Sequence, residues 1–517
     1  MVQNTFGNWR ALKLSEIGIV WSSKGDTFSF GLRNGHSVNF GEIIRVVSGK
    51  RVFYARVTDT ESGYTLKQED LLKEMIGTEG FGPYSKFRSV EANIMLESTE
   101  EGKLRLPSFN PTCGDKVFTT TNDDHKLLGL GGDLHIGYLR LGVQQSVPVG
   151  IQVSALPKHI GLFGMTGSGK TNTELIINAR ILDNPKTVGL IFDFHGELWE
   201  GKGLGKGLKD HPLFPTKGRY YTGEKVKIGI RTLRTPDIFE MFPDLTHPQA
   251  RACRELQKEI GETWVQQVIE SDVPQGLKSL KASVGAVLRR LHDLPPDVFP
   301  DDATSVAENI VRDLKEGVTA LVDLSGLNFE DQKRIACVVT QRVASEYKRL
   351  FHEDPETWRL LPTLLTTLEE AHEFLSRDPK KHTFFSNIAL TYRKYRVGLC
   401  VVTPRPSSID PDVFAELWTK VIMKTTFKTD REYITENTPY LEYSNVEVKV
   451  LDQGEALLVS EPQLRFAVPL KTVHYPEYLE KREKVDYKLS PSPIHSGINE
   501  KIKRIHQAEE SEESLFK

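Results

Sequence analysis

Apolar and polar positions follow two regimes along the chain. Up to about residue 150, apolar residues come in short runs separated by glycine-containing turns. Gly41-Glu-Ile-Ile-Arg-Val-Val47 and Val52-Phe-Tyr-Ala-Arg-Val57 read as strands joined by Ser48-Gly-Lys50. Further short strands fit 92–96, 116–120 and 135–141. Strands of this length and spacing predict a small all-β barrel. No catalytic set of residues stands out in it, so this region reads as an assembly or docking module.

Beyond residue 150, strands and helices alternate. Continuous apolar runs at His159–Phe163, Thr187–Asp193, Val318–Asp323, Thr363–Leu368, Val397–Val402 and Val421–Thr425 have the pattern of buried parallel strands. Residues 236 to about 315 interrupt this alternation with a helical insertion. There Leu277, Leu280, Val284, Val287, Leu288 and Leu291 form a stripe suited to core packing. From about residue 480 the chain turns polar and charged. The expected division is a β-barrel over 1–150, an α/β domain over 151–480 and a polar C-terminal extension over 481–517, whose last dozen residues read as mobile.

Composition narrows the class. A chain of 517 residues exceeds one compact core. Hydrophobic residues make up 38% and charged residues 26%, as in globular proteins. No apolar run is long enough for a membrane span, and the first residues lack a signal-peptide pattern. Cys113, Cys253, Cys337 and Cys400 have neither metal-site nor disulfide spacing. The expected location is the cytoplasm. With a formal net charge of −3, any nucleic-acid contact must come from local basic surface.

The chemistry concentrates in one loop. Gly164, Met165, Thr166, Gly167, Ser168, Gly169, Lys170 and Thr171 match the phosphate-binding pattern G-x-x-x-x-G-K-[ST]. Asn172 to Leu182 follows as a helix with Leu175, Ile176, Ala179 and Leu182 on one face. A glycine-rich turn between strand and helix aims backbone N–H groups and the positive helix end at an anion. Lys170 can reach the β- and γ-phosphates of ATP, and Thr171 can ligate Mg2+.

Such a loop needs a carboxylate-tipped strand beside it. In Leu364-Leu-Thr-Thr-Leu-Glu-Glu-Ala-His372, paired acids end an apolar strand. Glu369 would join the Mg2+ shell, and Glu370 would orient or deprotonate the attacking water. Asp323, followed by a turn-forming Ser-Gly, is the weaker candidate. Asp193, His195 and Glu197 line a nucleotide pocket or cap the next element more readily than they form a separate metal centre.

Gly164–Asn172, Phe192-Asp-Phe-His-Gly-Glu197, Val322-Asp-Leu-Ser-Gly326, Glu369-Glu-Ala-His372 and Arg393-Lys-Tyr-Arg-Val-Gly-Leu399 occur in this order. Together they resemble the HerA-type ATPases, in the HerA/FtsK group of hexameric DNA-translocating motors. The resemblance runs from about residue 10 to 475, and Gly41–Val46 and Val147-Pro-Val-Gly150 look like the family's N-terminal HAS-barrel domain. It implies an α/β RecA-like P-loop motor domain with a helical insertion, preceded by a small all-β barrel. It implies a homo-hexameric ring with ATP between neighbours and double-stranded DNA through the pore. It also implies that Arg393 acts across the interface on the neighbour's nucleotide, and it places a basic residue, here Lys158, near the nucleotide. The implied partner is a NurA-like nuclease in DNA-end processing, or a nuclease-like or sirtuin-like effector in anti-phage defence.

Candidate DNA contacts are Lys202, Lys206 and Lys209 in a glycine-rich stretch, and Arg377, Lys380 and Lys381 after the paired acids. Loops at the carboxyl ends of parallel strands are the working surface of such sheets. Lysine clusters there would give salt-sensitive, sequence-independent phosphate binding. The sequence departs from the family at Thr403-Pro-Arg-Pro406, where Pro404 replaces a phosphate-sensing glutamine and offers no side-chain hydrogen bond. That departure favours a second reading, a nucleotide-gated oligomeric scaffold that regulates an effector with little DNA translocation.

Overall fold

The computed structural model describes residues 14–64, 86–99, 103–140, 147–378, 383–442 and 444–483. Lys380, Lys381 and the tail beyond residue 483 lie outside the described residues. The chain divides into two compact units. One runs to Ile151 and adds Glu455–Thr472; the other comprises Gln152–Gly454 and the residues from Val473.

In the first unit, alternating inward-facing residues close a barrel. Its strands are β1 (Glu16–Lys24), β2 (Thr27–Leu32), β3 (Ile43–Ser48), β4 (Arg51–Tyr64) and β5 (Lys86–Ser98), with a short β6 (Leu104–Arg105) and then β7 (Lys116–Thr119). Antiparallel pairing runs β2-β1-β7-β3-β4-β5 and returns from β5 to β2, closing six strands; β6 adds to the β5 edge. Phe28, Phe30, Val46, Phe53 and Val117 fill the interior at 0–1% exposure. Burial on this scale contributes about 1.5–3 kcal/mol for each large side chain. Four further strands form an antiparallel group in the same unit: β8 (Leu134–Leu139), β9 (Pro148–Ile151), and, much later in the chain, a hairpin of Glu455–Ser460 and Val468–Thr472.

The second unit is a parallel sheet. Its strands are β10 (Ile160–Phe163), β11 (Thr187–Asp193), β12 (Gly218–Tyr221), β13 (Thr319–Asp323), β14 (Thr363–Leu368), β15 (Val397–Thr403) and β16 (Thr419–Met423). Their order is β12-β13-β11-β14-β15-β10-β16, and every pairing among the seven is parallel. β11, β15 and β16 are buried at every position, which is why they read as continuous apolar runs. The predicted insertion is helical, with Thr235–Met241, His247–Ile260, Trp264–Ser271, Lys281–His292 and Val306–Lys315. Parallel pairing brings the carboxyl ends of β10, β11, β14, β15 and β16 to one edge, and that edge carries the site. Among the described residues, no helix is long and apolar enough to cross a membrane.

Candidate nucleotide site

The loop 164–169 leaves β10 and enters helix Lys170–Asp183 directly. Two glycines permit this turn. Gly169 sits at φ 106° before the helix, a left-handed conformation that side chains disfavour. At Gly164 a Cβ would lie 2.8 Å from the Met423 Cβ, so any larger residue would push the loop off β16. Lys170 folds back over the loop, its Nζ donating to Gly164 O at 2.7 Å and Met165 O at 3.1 Å. Burial pushes the Lys170 ammonium below the usual lysine range, and Glu370, Glu174, Glu369 and Glu197 oppose that shift.

Carboxylates converge beside Thr171. The Thr171 hydroxyl donates to Glu197 Oε2 at 3.4 Å. Glu369, at the tip of β14, is 7% exposed and accepts the Phe194 N–H at 3.3 Å. Burial raises its carboxyl above the ordinary range, and the charges of Asp193 and Glu197 raise it further. Asp193 is committed to the backbone, accepting N–H groups of Glu197, Leu198 and Trp199 at 2.9–3.3 Å. It therefore caps the turn after β11. Asp323 is held by the Tyr220 hydroxyl at 2.6 Å and by Ser325.

Glu370 differs from Glu369 in kind. Its backbone is left-handed at φ 44°, and its side chain is 38% exposed at the mouth of the site. Its carboxylate lies 3.9 Å from His195 Nε2 and 3.4 Å from His372 Nδ1. His372 Nδ1 is also 3.1 Å from the buried Thr403 hydroxyl at the end of β15. Thr403 accepts the Arg405 N–H, so the Pro404 bend is braced from below.

Hard oxygen donors and crowded carboxylates suit Mg2+, which binds through one or two carboxylates plus phosphate oxygens. Thr171 and Glu369 would hold it here, with Glu197 within reach. Glu174 went unnoticed in the sequence. It sits fully buried one helical turn beyond Lys170, and among the described residues neither carboxylate oxygen has a hydrogen-bond partner. Burial raises its carboxyl well above the ordinary range, and Glu369 and Asp193 add to the shift. A charged residue in line with Ile177 and Ile181 on the same helix was the available signal.

Arg393 lies at the opposite edge. It opens the turn Arg393–Tyr395 before β15, and its guanidinium sits 4.8 Å from the Trp418 ring centre. Lys158 Nζ lies 4.5 Å from the same ring. Both cations and the tryptophan stand at the amino ends of β15, β10 and β16, whereas the phosphate loop stands at the carboxyl end of β10. The strand between is about 13 Å long at ~3.3 Å per residue. Neither Arg393 nor Lys158 meets its own chain's phosphate loop, and Arg393 has no carboxylate partner among the described residues. Trp418, which holds both, was not singled out from the sequence. Between the edges, buried His159 accepts the Leu399 N–H at 3.0 Å, and burial pushes its pKa down to about 4.

Of the basic residues proposed for DNA, Lys202 is exposed and donates to His195 O at 3.1 Å, in the loop after β11. Lys206 is half-buried in the same loop, and Lys209 pairs with Glu200. Arg377 donates to Ile409 O at 3.3 Å and lies over the Tyr433 ring.

Residues 134–343 match the family model of the helicase HerA central domain. The DNA double-strand break repair helicase HerA of Sulfurisphaera tokodaii is 28% identical over 386 residues, covering 72% of this chain and 75% of the relative. The chain is a P-loop ATPase similar to the HerA helicases. The HerA helicase of Saccharolobus solfataricus is 26% identical over the same shares of each chain. The structure of VirB4 of Thermoanaerobacter pseudethanolicus is similar at 17% identity, covering 68% of this chain and 98% of VirB4, with a TM-score of 0.47.

Proposed function

We propose that the chain is an ATP-driven motor on double-stranded DNA, working as a ring of six copies beside a nuclease or defence effector. The observation that carries this reading is the division of the motor sheet. Phosphate loop and carboxylates occupy one edge, and Arg393, over the Trp418 ring, occupies the other. A group that stabilises transition-state charge but cannot reach its own nucleotide fits a site completed by a neighbour. The relatives named as DNA repair helicases support DNA as the substrate, and Lys202 and Lys206 lie on the loop edge where it would be gripped.

In this reading Lys170 neutralises the β- and γ-phosphates, and the loop N–H groups and helix start hold them in place. Thr171 and Glu369 would hold Mg2+, which would supply positive charge to the phosphate oxygens. Glu370, exposed and left-handed, orients the attacking water and takes its proton. The neighbour's Arg393 meets the charge that develops on the transferred group. His372 and Thr403 connect Glu370 to the end of β15.

Pro404 favours the second reading, a nucleotide-gated scaffold for an effector enzyme. The two separate in a triplex-displacement assay. A motor displaces a third strand from long duplex DNA only while ATP is hydrolysed. A scaffold leaves the triplex intact, while ATP alters the activity of the effector encoded beside it.

A further inference from the structure

We propose that Phe427 and Met165 form the platform on which the adenine base of the nucleotide stacks. The proposal rests on the loop 164–171 being the phosphate cradle. Thr171, Glu369 and Glu370 fix the γ-phosphate end on the β14 side of β10. A triphosphate running along the loop from that end places its α-phosphate, ribose and base on the other side, where β16 pairs with β10.

The residues there are joined to the loop itself. Met165 N–H donates to Lys424 O at 2.9 Å, just past the end of β16. The Thr426 hydroxyl lies 3.5 Å from the Met165 sulfur. Phe427 follows directly and caps helix Lys428–Glu436. Thr425 N–H donates to Val448 O, which brings helix Asn445–Val450 alongside. On the same side, Gly454 N–H donates to Ser168 O at 2.8 Å and ties the loop down.

This corner is unusually apolar for a surface. Met165 is 37% exposed, Phe427 67%, Val446 71% and Val450 63%. They are four of the seven exposed large apolar side chains described in the motor unit. Isolated exposed apolar residues are ordinary, but a cluster rimming a polar cradle marks a ligand face. A purine has a flat π-face, an aromatic ring and a thioether are its usual stacking partners, and the position matches where a base must emerge.

The test compares ATP with inorganic tripolyphosphate, which has the phosphates and no base. Both are titrated in competition with labelled ADP against the full chain and its Phe427→Ala and Phe427→Trp variants, with light scattering on each. Phe427→Ala should weaken ATP about tenfold, the scale of one lost base–aromatic stack, while tripolyphosphate stays within about twofold. Phe427→Trp should restore ATP affinity. Equal weakening of both ligands would assign Phe427 to loop support and overturn the platform. Unchanged ATP affinity with an altered assembly size would overturn it in favour of contact with a second copy. If wild-type protein binds neither ligand, the phosphate cradle itself fails, and the platform falls with it.

Discussion

His372 Nδ1 lies 3.4 Å from Glu370 Oε2, so the exposed acid of the carboxylate pair has an imidazole at its side. The same nitrogen is 3.1 Å from Thr403. One ring therefore stands between the acid and the end of β15, and its single Nδ1 can serve only one of them at a time. Glu370→Gln removes the charge and keeps the shape. It should leave ATP binding and assembly intact while lowering kcat by about 10^2–10^4, the range for a lost general base. Single-turnover hydrolysis with bound ATP measures this directly. Turnover at the wild-type rate would move the role to another acid, with Asp323 next to be changed.

Lys170 has its Nζ on two loop carbonyls, Gly164 O and Met165 O. Lys170→Ala should therefore fold but lose nucleotide. In thermal unfolding, wild-type protein should gain stability with Mg-ADP, about 2.7 kcal/mol at 100 times Kd. The variant should show no gain at the same concentration.

Arg393 and the phosphate loop sit on opposite edges of one sheet, so their partnership requires two copies. Arg393→Ala and Lys170→Ala chains should each be inactive alone. Mixed and allowed to exchange, they should recover part of the ATPase rate, because some interfaces then pair an intact Arg393 with an intact Lys170. No recovery in verified mixed assemblies would remove the trans role.

Glu174 and Glu369 carry carboxyls raised above their ordinary value by burial, with the charge of Glu369 adding to the shift of Glu174 and those of Asp193 and Glu197 to the shift of Glu369. A raised acid binds its proton more tightly in the folded state than in the unfolded one. The folded state is therefore favoured below the unfolded value of 4.5 and loses that advantage as pH rises through the folded value. Without nucleotide, melting temperature should fall from pH 5 toward 8. Glu174→Gln should flatten this fall and raise the melting temperature at pH 8 by about 2–4 °C, the shift for about 1 kcal/mol in a domain of this size. A variant destabilised equally at every pH would contradict the assignment.

Much of this site was legible because its signals are local. The Gly164–Thr171 loop has fixed spacing, and the strand ending in Glu369-Glu370 is apolar up to its tip. What escaped depends on chain segments far apart. Glu174 reads as a helix residue until β14 and β11 are packed over it. Trp418 gains meaning only when parallel pairing sets the starts of β10, β15 and β16 side by side. The pairing of Val468–Thr472 with Leu134–Leu139 joins segments more than 300 residues apart, and no periodicity reports that. Short β12 (Gly218–Tyr221) carries Tyr220 to Asp323, yet it lies in a glycine- and lysine-rich stretch without a strand pattern.

The central claim, a motor that couples ATP to DNA, is tested most directly by ATPase rate with and without long duplex DNA, at low and high salt, alone and with the product of the adjacent gene. The motor reading predicts stimulation by duplex DNA that falls steeply with added salt, because the contacts are to phosphates. Charge reversal at Lys202 and Lys206 should weaken that stimulation and spare assembly. A rate that duplex DNA leaves unchanged in every arm would contradict the motor and leave a nucleotide-binding P-loop protein.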